Sequence, residues 1–186
     1  SHISLSHSDL EILENLELDS VKNYYRDLFL IGCYSGQRFS DYKRFNKKYV
    51  VGNFIEIRAK KTGQFSYIPL SRKLKALLDK YDWELPTISS QKFNDHIHEI
   101  CRIAGFTEIV TRDRFFGNRK ETEEIPRFKL IASHTARRTF ITLSEQKGVS
   151  HSLIMKVTGI KSLKTLENYI KIDKDRLSEA IIKAWD

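Results

Sequence analysis

The apolar residues of this chain repeat with two different periods, and the switches between them outline the fold. Val21, Tyr24, Tyr25, Leu28 and Ile31 recur every three or four positions, which predicts a helix from Asp19 or Ser20 to about Tyr34, stopped by Gly36. Ahead of it, Ser6 or Ser8 caps a helix over about 8–17, with Asp9 and Glu11 at its positive end. Behind it, Ser40–Phe45 reads as a further short helix. The period then drops to two. Phe54–Ala59 alternates apolar and charged residues, Lys61-Thr-Gly-Gln64 is a turn, Phe65–Leu70 returns as the paired strand, and Val50-Val51 adds a third short strand. Helical spacing resumes over about 71–80 and 90–104, where Phe93, Ile97, Ile100, Cys101 and Ala104 form one stripe ended by Gly105. Residues 106–130 carry the weakest pattern: Phe106–Phe116 and Arg119–Leu130, joined through Gly117-Asn118, predict a charged, exposed hairpin. Helices follow over about 134–147, 150–157 and 162–171, the first two closed by Gly148 and Gly159. A last amphipathic helix over about 174–185 carries Leu177, Ile181, Ile182 and Trp185 on one side.

The order is mainly α with a small antiparallel β sheet (α+β), the strands lying between the early and later helices. The 186 residues hold no internal repeat and no Pro/Gly/Ser linker, so one domain spans 1–186, long enough for a real core. A hydrophobic content of 40% with 11% aromatics is that of a globular chain, not a disordered one. Cys33 and Cys101 each fall in an apolar helical pattern, which predicts buried free thiols in a reducing compartment rather than a disulfide. No apolar run has the length of a membrane span, and the polar start lacks a signal-peptide core. The only methionine is Met155, so the text reads as a fragment that starts mid-protein, just before a helix, or behind a tag remnant such as Ser1-His2.

Charge adds a partner. The net charge is +8, but the first thirty residues hold six acidic and two basic side chains, so the remainder carries +12. A basic body suits a polyanion, because phosphate neutralisation releases counterions.

A scattered set of residues has the chemistry to handle one phosphodiester: Arg38, Lys61, His134, Arg137 and Tyr169. His134 and Arg137 are three apart and share a helix face, while Arg138 lies about 100° further round. Arginine presents a planar fork matched to phosphate oxygens, and an early helical position favours an anion nearby. Arg38 follows Gly36-Gln37 at a helix end, where a loop lets a side chain reach a cleft. Asp41 fixes the Arg38 fork or a neighbouring catalytic side chain, or else caps the short helix. Lys61 sits on the turn, with Lys60 as the competing assignment. A lysine that gives up a proton needs a cationic neighbourhood to lower its ordinary pKa. Tyr169 as a nucleophile needs clustered cations to make its phenol acidic. Taken singly, each has an ordinary explanation: a solvated helix end, a surface arginine, a solvated turn lysine, a packing tyrosine. Metal chemistry finds no support in the spacing of His2, His7, His96, His98, His134 and His151, and His96 and His98 diverge on their helix. The chain has no Gly-rich phosphate loop with Lys-Ser/Thr after a strand and no Gly-x-Ser-x-Gly, which lowers the case for a nucleotide hydrolase or a serine hydrolase.

Order and spacing carry more than any one residue. Over about 5–172 the sequence resembles the catalytic domain of tyrosine recombinases (phage integrases). Gly36-Gln-Arg-Phe-Ser-Asp41 is similar to the family's first arginine box, and Lys61-Thr-Gly before Tyr67-Ile-Pro-Leu70 to its lysine hairpin. Ser133-His-Thr-Ala-Arg-Arg-Thr-Phe-Ile-Thr142 resembles the second box. Gly148-Val-Ser, Met155-Lys-Val-Thr-Gly159 and Thr165-Leu-Glu-Asn-Tyr169 resemble the stretch that ends in the nucleophile. The resemblance implies a site-specific recombinase or integrase of a mobile element. Arg38, His134 and Arg137 would hold the scissile phosphate, Tyr169 would form a 3′-phosphotyrosyl intermediate, and Lys61 would protonate the departing 5′ oxygen, with no metal or cofactor. It further implies double-stranded DNA as partner, a tetramer of the full-length protein on synapsed DNA with this fragment a monomer, and a cytoplasmic, bacterial or phage-encoded setting. A helical core-binding domain is expected ahead of this one. The segment 174–186 packs on its own domain or, as the family often does, on a neighbouring protomer. One position departs: the family usually has His or Trp after Gly159, a hydrogen-bond donor to the phosphate, and here it is Ile160. That is a tolerated variation, an engineered change or a sign of reduced activity. A type IB topoisomerase-like relaxing activity and a DNA-binding module with a degenerate site are the rival readings.

Overall fold

In the computed structural model, Ser6 starts α1 (His7–Asn15) with a reciprocal cap: its hydroxyl accepts from the Asp9 N–H and its own N–H donates to the Asp9 carboxylate. The long helix α2 (Ser20–Ser35) follows, capped by Asp19, and ends at Gly36 in the left-handed region at φ 68°. Arg26 of α2 donates to the carbonyls of Leu13 and Leu16, satisfying the open end of α1. Leu28, Phe29, Leu30, Ile31 and Cys33 are all buried, so the second half of α2 is covered on every side. The structure describes residues 3–117, 119–170 and 174–185. Ser1-His2, Asn118 of the expected turn and Asp186 lie outside them.

After the short α3 (Phe39–Tyr42), strands β1 (Val50–Val51), β2 (Phe54–Arg58) and β3 (Phe65–Pro69) form an antiparallel sheet in that order. The register sets Ile55 against Ile68, Ile57 against Ser66 and Arg58 against Phe65. Alternation then sends Ile55, Ile57, Ser66 and Ile68 inward, all buried, and turns Phe54, Arg58, Phe65 and Tyr67 outward. The inner face packs into a core shared with α2, α4 (Arg72–Lys80) and α5 (Ser90–Ile103). The expected hairpin is present as β4 (Ile109–Phe116) and β5 (Arg119–Pro126), with cross-strand ion pairs Arg112–Glu123 and Lys120–Asp113. Its outer ends differ from the expectation, because residues 127–130 form a 3₁₀ turn rather than more strand.

The chain then returns through α6 (Ser133–Gln146), which packs along α2, and α7 (His151–Thr158), which lies against β3. A second small core of Ile141, Ile154, Ile160 and Leu166 joins α6, α7 and α8 (Leu163–Glu167). The helix expected over 162–171 is shorter than its sequence pattern. Only Leu166 of α8 is buried, and the Tyr169 and Ile170 N–H groups bond three residues back, to Leu166 and Glu167. Tyr169 therefore sits on a tightened turn just past the helix. In α9 (Lys174–Trp185), Leu177, Ile181 and Ile182 are 54–58% exposed and Trp185 is 84% exposed, so the apolar stripe is turned outward. Both cysteines are free and buried, and burial pushes the Cys101 thiol up to about 12.

Candidate active site

Arg137 is the centre of the site. It is 1% exposed, one turn into α6, and its Nη1 donates to the carbonyls of Gly36 at 2.9 Å and Thr158 at 3.0 Å. Those carbonyls are at the C-terminal ends of α2 and α7, where helix carbonyls carry partial negative charge. Both helices stop at a left-handed glycine, Gly36 and Gly159, each at φ 68°. A Cβ on Gly36 would meet the Phe140 ring at 2.4 Å, and one on Gly159 would meet the Ser66 hydroxyl at 2.7 Å. Glycine at both positions is thus a condition for seating Arg137. Gln37 reinforces the junction, its amide donating to Val157 O at 2.7 Å.

Tethered through Nη1, Arg137 has its Nε and Nη2 buried with no hydrogen-bond partner among the described residues, and Arg38 Nη1 is in the same condition. Burial first, and the Arg38 charge second, push the Arg137 guanidinium below its ordinary pKa, while Tyr169 and Asp41 act in the opposite direction. Two arginines whose charges are felt by one another, with buried unused N–H groups, form a donor set that matches an oxyanion.

Tyr169 completes the group. Its hydroxyl is 3.3 Å from His134 Nε2, and the two rings are 5.8 Å apart. His134 is exposed at the start of α6 and Arg137 is buried below it, so the expected shared face is real and both side chains meet the Tyr169 segment. Arg138 also meets it. The arginine that lies 100° round the helix from Arg137 reaches the same tyrosine from another side: Nη1 donates to Asn168 O at 3.1 Å and its guanidinium lies 4.7 Å from the centroid of the Tyr169 ring. Sequence reasoning set Arg138 aside; the doublet Arg137-Arg138 was the available signal, but where the α7–α8 segment returns is a tertiary fact.

Asp41 has a role different from those expected. Its Oδ1 accepts from the Lys60 backbone N–H at 2.8 Å and from Arg44 at 3.0 Å, with no bond to the Arg38 fork, and its Oδ2 is buried without a partner. It therefore anchors the base of the β2–β3 turn to the arginine box. Lys61 is exposed on that turn and takes no hydrogen bond or ion pair among the described residues, so the structure brings Arg38, His134, Arg137 and Tyr169 together and leaves Lys61 on a tethered loop. Ile160 is 6% exposed and packs with Ile141, Ile154 and Leu166, against which Tyr169 also rests. At this position the chain offers packing where a donor was expected.

No group of three or more His, Cys, Asp or Glu side chains among the described residues is arranged to hold a metal ion, and no described helix is long and apolar enough to cross a membrane.

The arrangement of the helices and small sheets is that of the catalytic domain of tyrosine recombinases. The XerH site-specific recombinase bound to a palindromic difH substrate, a post-cleavage complex, matches over 96% of this chain and 51% of its own at 21% identity, with a TM-score of 0.68. The XerA recombinase matches over 99% and 65% at 15% identity and a TM-score of 0.69. A lambda integrase dimer bound to a COC′ core site matches over 92% and 62% at 18% identity and a TM-score of 0.66. The chain thus spans between half and two thirds of the length of these structures. A scan against protein-family models and a search of curated protein sequences both find no match.

Proposed function

We propose that the chain is the catalytic domain of a tyrosine recombinase, a site-specific recombinase or integrase of a mobile element that cleaves and rejoins double-stranded DNA. The observation that carries this reading is the set of buried, unpartnered N–H groups on Arg137 and Arg38 next to the Tyr169–His134 pair. A non-bridging oxygen of the scissile phosphate is the acceptor these donors fit. Tyr169 Oη attacks phosphorus, giving its proton to His134 Nε2, and the bond from phosphorus to the 5′ oxygen breaks. Lys61, on the loop that Asp41 tethers, supplies the proton that leaves with the 5′ hydroxyl. The product is a 3′-phosphotyrosine, which keeps the bond energy for rejoining when the 5′ hydroxyl of a partner strand reverses the attack. No step requires a metal or a nucleotide.

The full-length protein would act as a tetramer on synapsed DNA, inside a bacterial cell. The outward apolar stripe of α9 supports exchange of that helix between protomers, since Leu177, Ile181, Ile182 and Trp185 are left exposed among the described residues.

The test is covalent trapping on a pool of nicked suicide duplexes with randomised sequence. The wild-type protein is expected to yield a DNA adduct mapping to Tyr169, and Tyr169→Phe to bind DNA without an adduct. An adduct on Tyr67 or Tyr81 would overturn the assignment, and DNA binding with no adduct on any duplex would leave a non-catalytic DNA-binding module.

A further inference from the structure

Next to the site, between the outer face of β3 and α7, lies a cleft of about 740 Å³. Arg58, Phe65 and Tyr67 line it from the sheet, and Met155, Lys156 and Lys161 from the other side. Among the described residues, its lining holds three cations and no carboxylate. Phe65 and Tyr67 are 45% and 41% exposed, although the residues that alternate with them, Ser66 and Ile68, are fully buried. Their rings stack with centroids 6.2 Å apart and planes at 27°. The Arg58 guanidinium lies 4.4 Å from the Phe65 centroid, held there by a bond to Gly63 O. Single exposed apolar residues are ordinary on a protein surface. Two aligned rings with an ordered arginine, in a concave setting whose described charged lining residues are all basic, are a surface for a flat, anionic polymer.

The cleft adjoins the site along one wall. Gly159 and Ile160 form part of its wall, the carbonyl of Thr158 just before them holds Arg137, and Ile160 packs beside Tyr169. A strand whose phosphate is bound at Arg38 and Arg137 therefore has a basic, aromatic surface close by.

We propose that this cleft is a single-strand DNA subsite. It holds unpaired nucleotides of the cleaved strand, with bases stacked on Phe65 and Tyr67 and phosphates paired with Arg58, Lys156 and Lys161. Paired duplex offers a protein base edges and phosphates, whereas the faces of bases become available only when they are unstacked. The inference rests on the strand-cleaving function proposed above and adds where the released strand goes.

The experiment uses the full chain at low salt and two DNA probes, a flush nicked duplex and the same duplex with a four-nucleotide unpaired flap at the nick carrying 2-aminopurine. The flap substrate is expected to bind about a hundredfold more tightly, with quenching of the flap fluorescence, and the ratio of the two affinities is expected to fall about tenfold for each base that loses its stacking partner in Phe65→Leu and Tyr67→Leu. Lys156→Glu and Lys161→Glu should lower the ratio through the phosphates without touching the rings, and a melting curve for each variant shows that it is folded. A ratio of one for the wild type, or a ratio unchanged by the ring variants, overturns the subsite. Ring variants that change self-association but not flap binding overturn it in favour of an interface between copies. Adduct formation at Tyr169 on the flush duplex is scored separately. An adduct without flap preference sinks the subsite alone, and flap preference lost with the rings but no adduct on any probe sinks only the cleavage function.

Discussion

Replacing Ile160 by histidine tests packing and chemistry together. Ile160 is 6% exposed and helps to build the small core of Ile141, Ile154 and Leu166 on which Tyr169 and Ile170 rest. Burying such a side chain is worth about 1.5–3 kcal/mol. An imidazole fills a similar volume but brings two ring nitrogens, and a buried one without a partner costs about 1–3 kcal/mol. Because Ile160 also forms part of the cleft wall, one nitrogen can reach solvent and the other faces the core. The net loss is about 2 kcal/mol, which for a chain of this size lowers Tm by about 4–8 °C. From the sequence alone, stability is expected to be unchanged or slightly lower; the burial of residue 160 makes the cost larger. The chemistry moves the other way. A donor to a charged transition state is worth about 10²–10³ in rate where its removal has been measured. Arg38, Arg137 and His134 are already available here, so the gain is set at about tenfold. Single-turnover cleavage of one nicked substrate by the full-length protein, at saturating concentration and well below Tm, separates rate from binding. A folded histidine variant that cleaves no faster shows that residue 160 is not at the donor position, or that Lys161 already fills the role. An unchanged Tm refutes the packing argument.

Further outcomes follow from the same geometry. Arg138→Met removes the bond to Asn168 O and the cation from the Tyr169 ring, so adduct formation should slow about tenfold with DNA affinity unchanged; an unaltered rate would reduce Arg138 to packing. Burial alone would raise the Asp27 carboxyl, but hydrogen bonds from Lys80, Tyr81 and Arg26 outweigh it and hold the pKa below its ordinary 3.8. A depressed folded value stabilises above the unfolded pKa and is lost as pH falls through the folded one, so Asp27→Asn should be less stable at neutral pH and show a flatter loss of Tm on acidification. Equal acid slopes for the two proteins would contradict it. The 186-residue chain should bind duplex DNA with little sequence preference and an affinity that drops steeply with salt, given the +12 carried after its first thirty residues. Tight, site-selective binding at physiological salt would count against the need for a preceding DNA-binding domain.

Much of the fold was legible because its elements obey local rules. The capping serines, the stop glycines and the change of apolar period at Phe54 and at Arg72 are each written in adjacent residues, and they correspond to observed boundaries. What was not legible depends on distant parts meeting. The shortening of α8 reflects having only Leu166 to bury, which a periodic pattern does not reveal. One partner of Asp41 is a backbone N–H on another element, carrying no side-chain signature in the sequence. Arg138 has a use only because the turn after α8 returns beneath it. Phe65 and Tyr67 read as ordinary members of an alternating strand until α7 is seen to leave their outer face open.

The way Arg137 is held has a consequence for how the site can be damaged. Its tether consists of two neutral carbonyls, which fix the direction of the fork without cancelling its charge, as a carboxylate in their place would do. The full cation is left for the phosphate. Backbone acceptors also have no side chain to mutate, so the tether is insensitive to the identity of residue 36 or 158 except through the path of the chain. The two glycines control that path. Gly36→Ala or Gly159→Ala would thus behave as catalytic lesions in residues that supply no reacting group, turning the arginine aside by moving the ends of the helices that grip it.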